Sequence, residues 1–449
     1  MTPDELQRVV DQVVGMARTG EQVEAVAAWS SDTEIRAFGG DVEHFVAATS
    51  AGIGVRVIRD GRQGVAWTGL LDEEAVNACL VEARDNSEFG SIDENAGLAE
   101  PDGVTPADLE LYDERLERTS TEQKIGLALD LERAVLAGDP RMKGIESADY
   151  AYALSVSAIA STTGIRHSGA ETSVYLGAYA LAGDDDETTT GFGFSVARAV
   201  ESLDPVSAAH DAVHRSVRLL GAGKVPSRRL TVVFDPYVAS QFLGLVVELL
   251  SGDAVLRGRS AFAGRVGEQV ASPLLTLQDD AADPLAPTAS DTDGEGLACR
   301  RVPLIESGEL VGFLHNAYTG RASGAASTGS AQRPSHRAAP SVGPHVVKVA
   351  AGSRSAAQVI SGVDEGLMVL ELSGLHSGVN PVSGDLSVGI EGMMIRGGEL
   401  AEGVREVTIG STLQRMLMDV VDVGDDLTYF PWESTGVTLA IADMTMSGL

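Results

Sequence analysis

Residues 231–280 read TVVFDPYVASQFLGLVVELLSGDAVLRGRSAFAGRVGEQVASPLLTLQDD. The opening run Thr231–Phe234 is rich in β-branched residues and predicts a short strand. Asp235 can cap a following helix that has Pro236 at its first position, where a missing backbone N–H costs nothing. Apolar residues then recur at helical spacing, so we expect a helix that buries one face through Val238, Phe242, Leu245, Val246 and Leu249. A loop leads from this helix to a second predicted strand at Leu274–Leu277.

The composition of the chain excludes several classes of protein. A length of 449 residues suggests two or three domains, and a hydrophobic fraction of 44% is enough for large cores. The formal net charge of −32 repels phosphate backbones, so we expect no nucleic-acid partner. The two cysteines, Cys79 and Cys299, provide neither a disulfide framework nor a cysteine-rich zinc module. The sequence shows no signal peptide and no run of about 20 apolar residues, which predicts a cytoplasmic protein without a membrane partner.

Two helices flank a series of strands in the predicted first domain, residues 1–90. Residues 2–18 form an apolar stripe at helical spacing, and a second helix is expected at 72–83. Between them, alternating apolar and polar residues over 23–67 predict strands separated by glycine-containing turns. The expected order of this domain is therefore α-β-β-β-β-α.

A helix and antiparallel strands are expected in the predicted central domain, residues 91–225. Ser120 and Gln123 have the spacing of a capping box, which predicts a helix from this point. Long strands are expected between residues 144 and 196. The acidic run Asp184–Glu187 lies between two of them and lacks the alternating ligand spacing of a calcium loop, so it predicts a solvated hairpin tip.

The predicted C-terminal domain, residues 226–449, carries further strand signals. A hairpin is expected over residues 298–314, and alternating apolar residues follow the turn Asn380–Asp385. These signals predict a large, mainly antiparallel sheet and place the whole chain in the α+β class. The segment His315–Arg333 is small and polar, and a loop of this length is either functional or mobile.

Several segments resemble those of one known family. They are GIGVRVIRDGRQGVAWT at 52–68, the Gly-Asp pair at 252–253, Tyr-Thr-x-Arg at 318–321 and NPVSGD at 380–385. Together they resemble the TldD/PmbA family, also called the modulator-of-DNA-gyrase or peptidase U62 family. Its members are subunits of a cytoplasmic metallopeptidase built from a TldD chain and a TldE (PmbA) chain. The resemblance therefore implies that the chain takes part in proteolysis and in the maturation of peptides, as one subunit of a heterodimer.

The same resemblance points to the chain type that lacks the metal motif. In TldD-type chains the helix before Gly-Asp carries His-Glu-x-x-x-His, and the corresponding positions here are Leu243, Gly244 and Glu248. A late cysteine supplies the third ligand in those chains, whereas this chain has no cysteine after Cys299. We therefore expect a TldE/PmbA-like pseudoenzyme subunit with no catalytic residue and no metal of its own. Zinc or iron is expected in a TldD-like partner, which would cleave the unfolded or leader peptides that this chain helps to present.

Side chains of the C-terminal half are candidates for lining a peptide groove. Such grooves bind extended peptides mainly through backbone edges, with a few side chains adding selectivity. The candidates are Arg265, Tyr318, Thr328, Arg333 and His345.

Two other functions remain open at the level of sequence. His210 and His214 lie four residues apart on one predicted helical face with Asp211 between them, which resembles zinc-peptidase spacing and would suit a self-contained metallopeptidase. A homodimeric peptide-binding scaffold is the other alternative. Glu248 is expected either to pair with an arginine such as Arg257 or Arg265, or to lie at an edge of the helix.

Overall fold

The computed structural model describes residues 1–184 and 187–449, and its first part contains four longer helices and six strands. In chain order these elements are α1 (Pro3–Gly15), β1 (Gln22–Phe38), β2 (Asp41–Arg59), β3 (Arg62–Thr68), α2 (Glu73–Phe89), the short α3 (Glu114–Glu117), α4 (Thr121–Ala137), β4 (Met142–Ser161), β5 (Arg166–Asp184), β6 (Glu187–Ala197), a 3-10 turn (Val200–Ser202) and α5 (Pro205–Val217). Asp185 and Asp186 of the predicted hairpin tip lie outside the described residues.

The second part of the chain contains shorter elements. In chain order they are β7 (Arg228–Phe234), α6 (Pro236–Leu249), α7 (Gly252–Leu256), β8 (Leu277–Asp280), β9 (Arg301–Glu306), β10 (Glu309–Leu310), α8 (Ala317–Ser323), β11 (Ala331–Gln332), β12 (Ser341–Val342), β13 (Val347–Val349), α9 (Ala356–Ser361), β14 (Glu365–Ser373), α10 (Leu375–Gly378), β15 (Asp385–Arg396), β16 (Glu399–Thr412), α11 (Leu413–Met418), β17 (Val420–Val423) and β18 (Leu439–Ser447). The predicted α+β class is confirmed. No helix in the described ranges is both long and apolar enough to cross a membrane.

The first six strands form one antiparallel sheet in the order β3-β2-β1-β4-β5-β6. Helices α1, α2, α4 and α5 pack against one face of this sheet and leave the other face open toward the second part of the chain. Because β1 pairs with β4 over residues 24–37 and 148–161, the predicted first and central domains share one sheet. We call this sheet and its helices the first lobe, and the residues from β7 onward the second lobe.

The strand count between α1 and α2 differs from the prediction of four, because three strands occupy this region. The polar residues Ser30, Ser31 and Asp32 interrupt the apolar alternation of this region. In the structure they continue β1, since each is paired with β2 on one side and β4 on the other. Pairing on both edges satisfies the backbone groups of a polar segment and holds it extended.

Two glycines allow helices to lie close to the first sheet. A Cβ on Gly193 of β6 would come 2.0 Å from the carbonyl oxygen of Ala208 in α5, and one on Gly64 of β3 would come 2.1 Å from that of Ala83 in α2. A side chain at either position would therefore push its helix off the sheet.

The second lobe contains a mixed sheet in the order β16-β15-β14-β7-β18-β17, with an additional β16–β18 pairing. Only β7 and β14 run parallel, which confirms the mainly antiparallel arrangement within the described residues. A four-stranded sheet, β10-β9-β8-β13, lies on the other side of α6, which contacts β7, β14 and β13. Helix α6 is thus enclosed by the largest core of the chain, where Phe234, Phe242 and Phe262 are buried.

The segment His315–Arg333 is folded and is not the long loop that the sequence suggested. Asn316 and Thr319 form a capping box that starts α8, and Gly324 ends this helix with a positive φ of 69°. Capping hydrogen bonds of this kind depend on the order of a few neighbouring residues, which the small, polar composition of the segment does not reveal.

A buried ionic group joins the two lobes. Glu24 of β1 accepts hydrogen bonds from Arg56 Nε and Nη2 of β2, at 3.2 and 2.9 Å, and from Arg333 Nη2 of the second lobe, at 2.5 Å. Glu295 of the second lobe lies 3.7 Å from Arg56. Each side chain is at most 8% exposed, so partners from both lobes neutralise charges that water cannot reach.

We predict that Arg333→Met lowers the free energy of unfolding by about 3 kcal/mol, because it leaves Glu24 buried with half of its positive partners. Urea denaturation followed by circular dichroism measures this change. Arg59→Met is the matched control, since Arg59 is exposed and lies 3.7 Å from its exposed partner Asp60. The control is expected to change stability by less than about 0.5 kcal/mol. Equal losses in the two variants would contradict the role assigned to the buried group.

Candidate functional site

Helix α6 carries the three positions where a metal motif is expected in TldD-type chains. Its N-cap Asp235 accepts a hydrogen bond from the backbone N–H of Val238 at 2.8 Å, and Pro236 occupies the first helical position, as predicted. Burial raises the pKa of the Asp235 carboxyl to about 6. The local signals therefore start the helix at the expected residue and direct its apolar face into the core.

The three positions provide no set of metal ligands. Leu243 is fully buried in the core of the second lobe, and its aliphatic side chain has no donor atom. Gly244 faces Ser434, whose Oγ would lie 3.1 Å from a Cβ at position 244. Glu248 is exposed at the last turn of the helix. Zinc and iron need three or more nitrogen, sulfur or oxygen ligands. These three side chains, an alkyl group, a hydrogen atom and one carboxylate, do not provide them.

Glu248 pairs with no arginine among the described residues, so the predicted pairing with Arg257 or Arg265 is wrong. Arg257 binds Asp253 at 2.8 Å, and Arg265 binds Glu268 at 2.8 Å. Partial burial raises the pKa of Glu248 without a compensating charge. Glu248 therefore lies at an edge of the helix, which is the other position expected for it from the sequence.

The histidine pair on α5 gains no third ligand in the structure. The rings of His210 and His214 stack in parallel with centroids 5.8 Å apart, and His210 Nδ1 lies 3.4 Å from Asp211 Oδ1. Within residues 1–184 and 187–449, no group of three or more histidine, cysteine, aspartate or glutamate side chains is arranged to hold a metal ion. Both cysteines are buried, and burial raises the pKa of the Cys79 thiol to about 11.

A cavity of about 850 Å³ lies between the open face of the first sheet and the second lobe. Strands β4 and β5 supply one wall, and residues 290–294, 331–333 and 345 supply the other. Arg333 and His345, two of the five groove candidates, line this cavity.

Arg333 holds the structure together and has few donors left for a ligand. Its guanidinium donates to the carbonyl oxygens of Gly294 at 2.8 Å and Ala338 at 3.0 Å, as well as to Glu24. These bonds hold the cavity wall against the first sheet.

His345 is held in place through its backbone and leaves its ring available. Its N–H and that of Val346 donate to Asp279 Oδ1 at 3.0 and 2.7 Å. The ring is buried and makes no hydrogen bond within the described part of the chain, and burial lowers its pKa to about 4. The imidazole is therefore neutral at pH 7, with one N–H donor and one nitrogen acceptor.

The other three groove candidates lie elsewhere and are already bonded. Tyr318 donates its hydroxyl to Asp93 at 2.9 Å beside a separate cavity of about 320 Å³. Thr328 Oγ1 donates to the carbonyl oxygen of His315 at 3.0 Å. Arg265 is partly exposed and pairs with Glu268 at 2.8 Å. The structure thus brings only Arg333 and His345 together.

The sequence reasoning missed the polar residues that β5 directs into the cavity. Glu171 has no hydrogen-bond partner within the described residues, and burial raises its pKa. His167 Nε2 lies 3.3 Å from Asp291 of the second lobe. Burial opposes ionisation of Asp291, but the hydrogen bond and charge of His167 together with the hydrogen bonds from Thr292 outweigh it and lower the pKa of Asp291. The alternation along β5 was a signal that these odd-numbered side chains share one face.

Arg198, directly after β6, is one of the arginines that line the cavity. Its two terminal nitrogens donate to four backbone carbonyl oxygens at 3.0–3.5 Å, those of Leu111, Thr172, Pro287 and Ala289. Burial lowers its pKa, against the nearby charge of Glu171. Its donors are used to connect the lobes, so it contributes charge to the cavity but little free hydrogen-bonding capacity.

The fold, with α6 enclosed in the second lobe, is that of a metallopeptidase-like protein. Three family models match the chain in order: PmbA/TldA metallopeptidase domain 1 at residues 23–87, the central domain at 114–220 and the C-terminal domain at 227–448. The chain therefore belongs to the TldD/PmbA family.

Curated relatives and solved structures agree with this assignment. The chain is 26% identical over 391 residues to the metalloprotease PmbA of Escherichia coli O157:H7, covering 86% of this chain and 84% of that protein. It is 25% identical over 448 residues to a PmbA homolog of Haemophilus influenzae, covering 99% and 96%. Its fold is similar to TldE from Thermococcus kodakarensis, with a TM-score of 0.88, 22% identity and coverage of 99% of both chains. A putative modulator of a DNA gyrase from Thermotoga maritima has a TM-score of 0.90, 23% identity and coverage of 98% and 100%.

Asp279 makes the placement of His345 sensitive to pH. Burial raises the pKa of Asp279 to about 7, and its Oδ2 has no hydrogen-bond partner in the described residues. An unfolded aspartate has a pKa of about 3.9, so the protonated form favours folding. The stabilisation is full below about pH 4 and is lost as the pH rises through about 7.

We predict that Asp279→Asn changes the pH dependence of stability. Relative to the wild type, the variant should gain up to about 4 kcal/mol of unfolding free energy between pH 4 and pH 7, because asparagine cannot ionise. Urea titrations at several pH values measure the difference. Asp60→Asn at an exposed turn is the control and should follow the wild-type curve. If the unfolding free energies of Asp279→Asn and the wild type change in parallel between pH 4 and pH 7, the pKa of Asp279 is not raised in the folded protein.

Proposed function

We propose that this chain is a non-catalytic, TldE/PmbA-like subunit of a TldD/TldE-type metallopeptidase in the cytoplasm. It would pair with a metal-bearing TldD-like chain and help to present unfolded or leader peptides for cleavage. The observation that carries the proposal is the state of α6. The helix keeps its cap, its apolar face and its place in the core, while Leu243, Gly244 and Glu248 offer no ligand set.

The packing of α6 explains how this helix keeps its place in the fold without metal-binding side chains. Leu243 lies among buried apolar side chains and stabilises the lobe by roughly 2–3 kcal/mol, as a buried leucine typically does. The side chain therefore serves folding, and the remaining surfaces of the protein are available for binding.

Peptide cleavage would take place in the partner. Zinc or iron bound there would supply an activated water at neutral pH. In this chain, the 850 Å³ cavity between the lobes is large enough for several residues of a bound peptide. The name of the relative, a metalloprotease PmbA, supports the relation to proteolysis, and the shared fold with a TldE is consistent with a TldE-like chain.

The proposal is tested by metal analysis and by reconstitution. The chain purified alone should contain much less than one equivalent of zinc or iron and should not cleave unfolded peptides. Co-expression with a TldD-like chain that carries His-Glu-x-x-x-His should yield a stable heterodimer, and chelator-sensitive cleavage should appear only in that complex. The same complex with the partner's glutamate replaced by glutamine is the control and should form without cleaving.

Other outcomes would replace the proposal. One equivalent of metal and chelator-sensitive cleavage by the chain alone, lost in His210→Ala, would identify a self-contained metallopeptidase. A homodimer that binds peptides and rejects every TldD-like chain would identify a scaffold protein.

A further inference from the structure

The open face of the first sheet contains a furrow that follows strand β4. The side chains that point from β4 to this face between Asp149 and Ile159 are small: Ala151, Ala153, Ser155 and Ser157. The segment from Asp149 to Ile159 spans roughly 33 Å, the length of about ten residues of extended chain. The floor of the furrow therefore has the dimensions of an extended peptide.

The furrow is continuous from the sheet surface to the cavity between the lobes. A cavity of about 530 Å³ at its open end shares Glu34, Ala151 and Tyr175 with a middle cavity of about 430 Å³. The middle cavity shares Glu171 and Arg198 with the 850 Å³ cavity. One channel thus runs along β4 from the edge of the first lobe to the second lobe.

Carboxylates line both walls of the furrow beside successive furrow-facing residues of β4, and each such position is called a level. In the strand register Glu34 lies beside Ala151, Asp32 beside Ala153, and Glu171 beside Ser155. Neighbouring levels are two residues, or about 7 Å, apart. The carboxylates therefore recur at the spacing of every second residue in an extended peptide, where side chains point to the same side.

Few cations of the furrow are free to neutralise these carboxylates. Of the two arginines that line the two outer cavities, Arg36 binds Asp149 at 2.8 Å. Arg198 is the positive charge beside Glu171, and the carboxylates of the two cavities outnumber these two arginines. Glu34 and Glu171 have no hydrogen-bond or ion-pair partner within the described residues. The channel is therefore electronegative and favours a positively charged occupant.

His345 gives an independent sign of a ligand at the inner end. This side chain is 91% buried at the wall of the 850 Å³ cavity, and its neutral ring makes no hydrogen bond in the described part of the chain. A buried polar ring without a partner is costly unless something else bonds to it. An N–H or carbonyl group of a peptide that enters the cavity would supply that bond.

We propose that the furrow along β4 binds extended peptide segments that carry lysine or arginine, with their positive side chains against Glu34, Asp32 and Glu171 and one end beside His345. This inference rests on the proposed function as a peptide-presenting subunit and adds the charge class and the location of the peptide. The half-buried ring of Tyr175 flanks the same levels and provides a face on which a guanidinium group can stack.

Fluorescence anisotropy with the purified full-length chain tests the charge preference. The probes are ten-residue alanine–serine peptides with lysine, glutamate or neither at every second or third position. The lysine probe should bind at least ten-fold more tightly than the glutamate probe at about 50 mM salt, and this advantage should shrink at about 500 mM salt.

Charge-removing variants test the location. Glu34→Gln and Glu171→Gln should each weaken binding of the lysine probe about five-fold. Glu399→Gln removes the same charge from an exposed position of the second lobe and should leave binding unchanged. His345→Phe keeps the ring volume and should weaken all peptide probes to a similar degree, since it removes a bond to the peptide backbone.

A site-specific label reports position without depending on affinity. Both native cysteines are buried, so a fluorophore on Ser155→Cys labels the furrow floor selectively. Its emission should change when the lysine probe binds.

Equal binding of all three probes, or unchanged binding in Glu34→Gln and Glu171→Gln, would overturn the proposal. Such a result in a chain that still forms an active complex with a TldD-like partner would leave the proposed function standing. Failure to form that complex would reject the proposed function and leave the charge preference intact.

Discussion

Glu24, Arg56, Arg333 and Glu295 form the ionic group on which the arrangement of the two lobes depends. Removing four charged side chains from water is costly, and only close contacts between them offset that cost. The contacts require both lobes at once, because Glu24 and Arg56 lie on adjacent strands of the first sheet whereas Arg333 and Glu295 belong to the second lobe. A displacement of one lobe would leave buried charges unpaired. The group therefore restricts how the lobes can sit relative to each other, and with them the cavity between them.

The same constraint links folding to binding. Arg333 also donates to the carbonyl oxygens of Gly294 and Ala338, so the wall of the 850 Å³ cavity is attached to the ionic group. Arg198 makes comparable bonds from the first lobe to the carbonyl oxygens of Pro287 and Ala289. The residues that connect the lobes have used most of their donors within the protein. Binding capacity is left to side chains that make no hydrogen bond within the described part of the chain, namely Glu34, Glu171 and the ring of His345.

Local patterns were the most reliable part of the sequence interpretation. The cap at Asp235, the capping box of Ser120 and Gln123, and the helix that follows each were predicted and are present. Interrupted alternation is less informative: four strands are expected between α1 and α2, but there are three, because β1 continues through Ser30, Ser31 and Asp32 with a paired strand on each side. The groove candidates show a similar limit. Arg333 and His345 were found, but the sequence could not reveal that Arg333 is already occupied or that Glu171 faces the same cavity.

The sequence alone determined the α+β class, the main helices, and that Leu243, Gly244 and Glu248 offer one carboxylate and not a set of metal ligands. These properties depend on side-chain chemistry and on short-range spacing, which can be read along the chain. The tertiary structure decided that the first two predicted domains share one sheet, that four distant charges form one buried group, and that a channel follows β4. Those features join residues as far apart as Glu24 and Arg333, and no local pattern specifies which distant partner neutralises a buried charge or encloses an open sheet face.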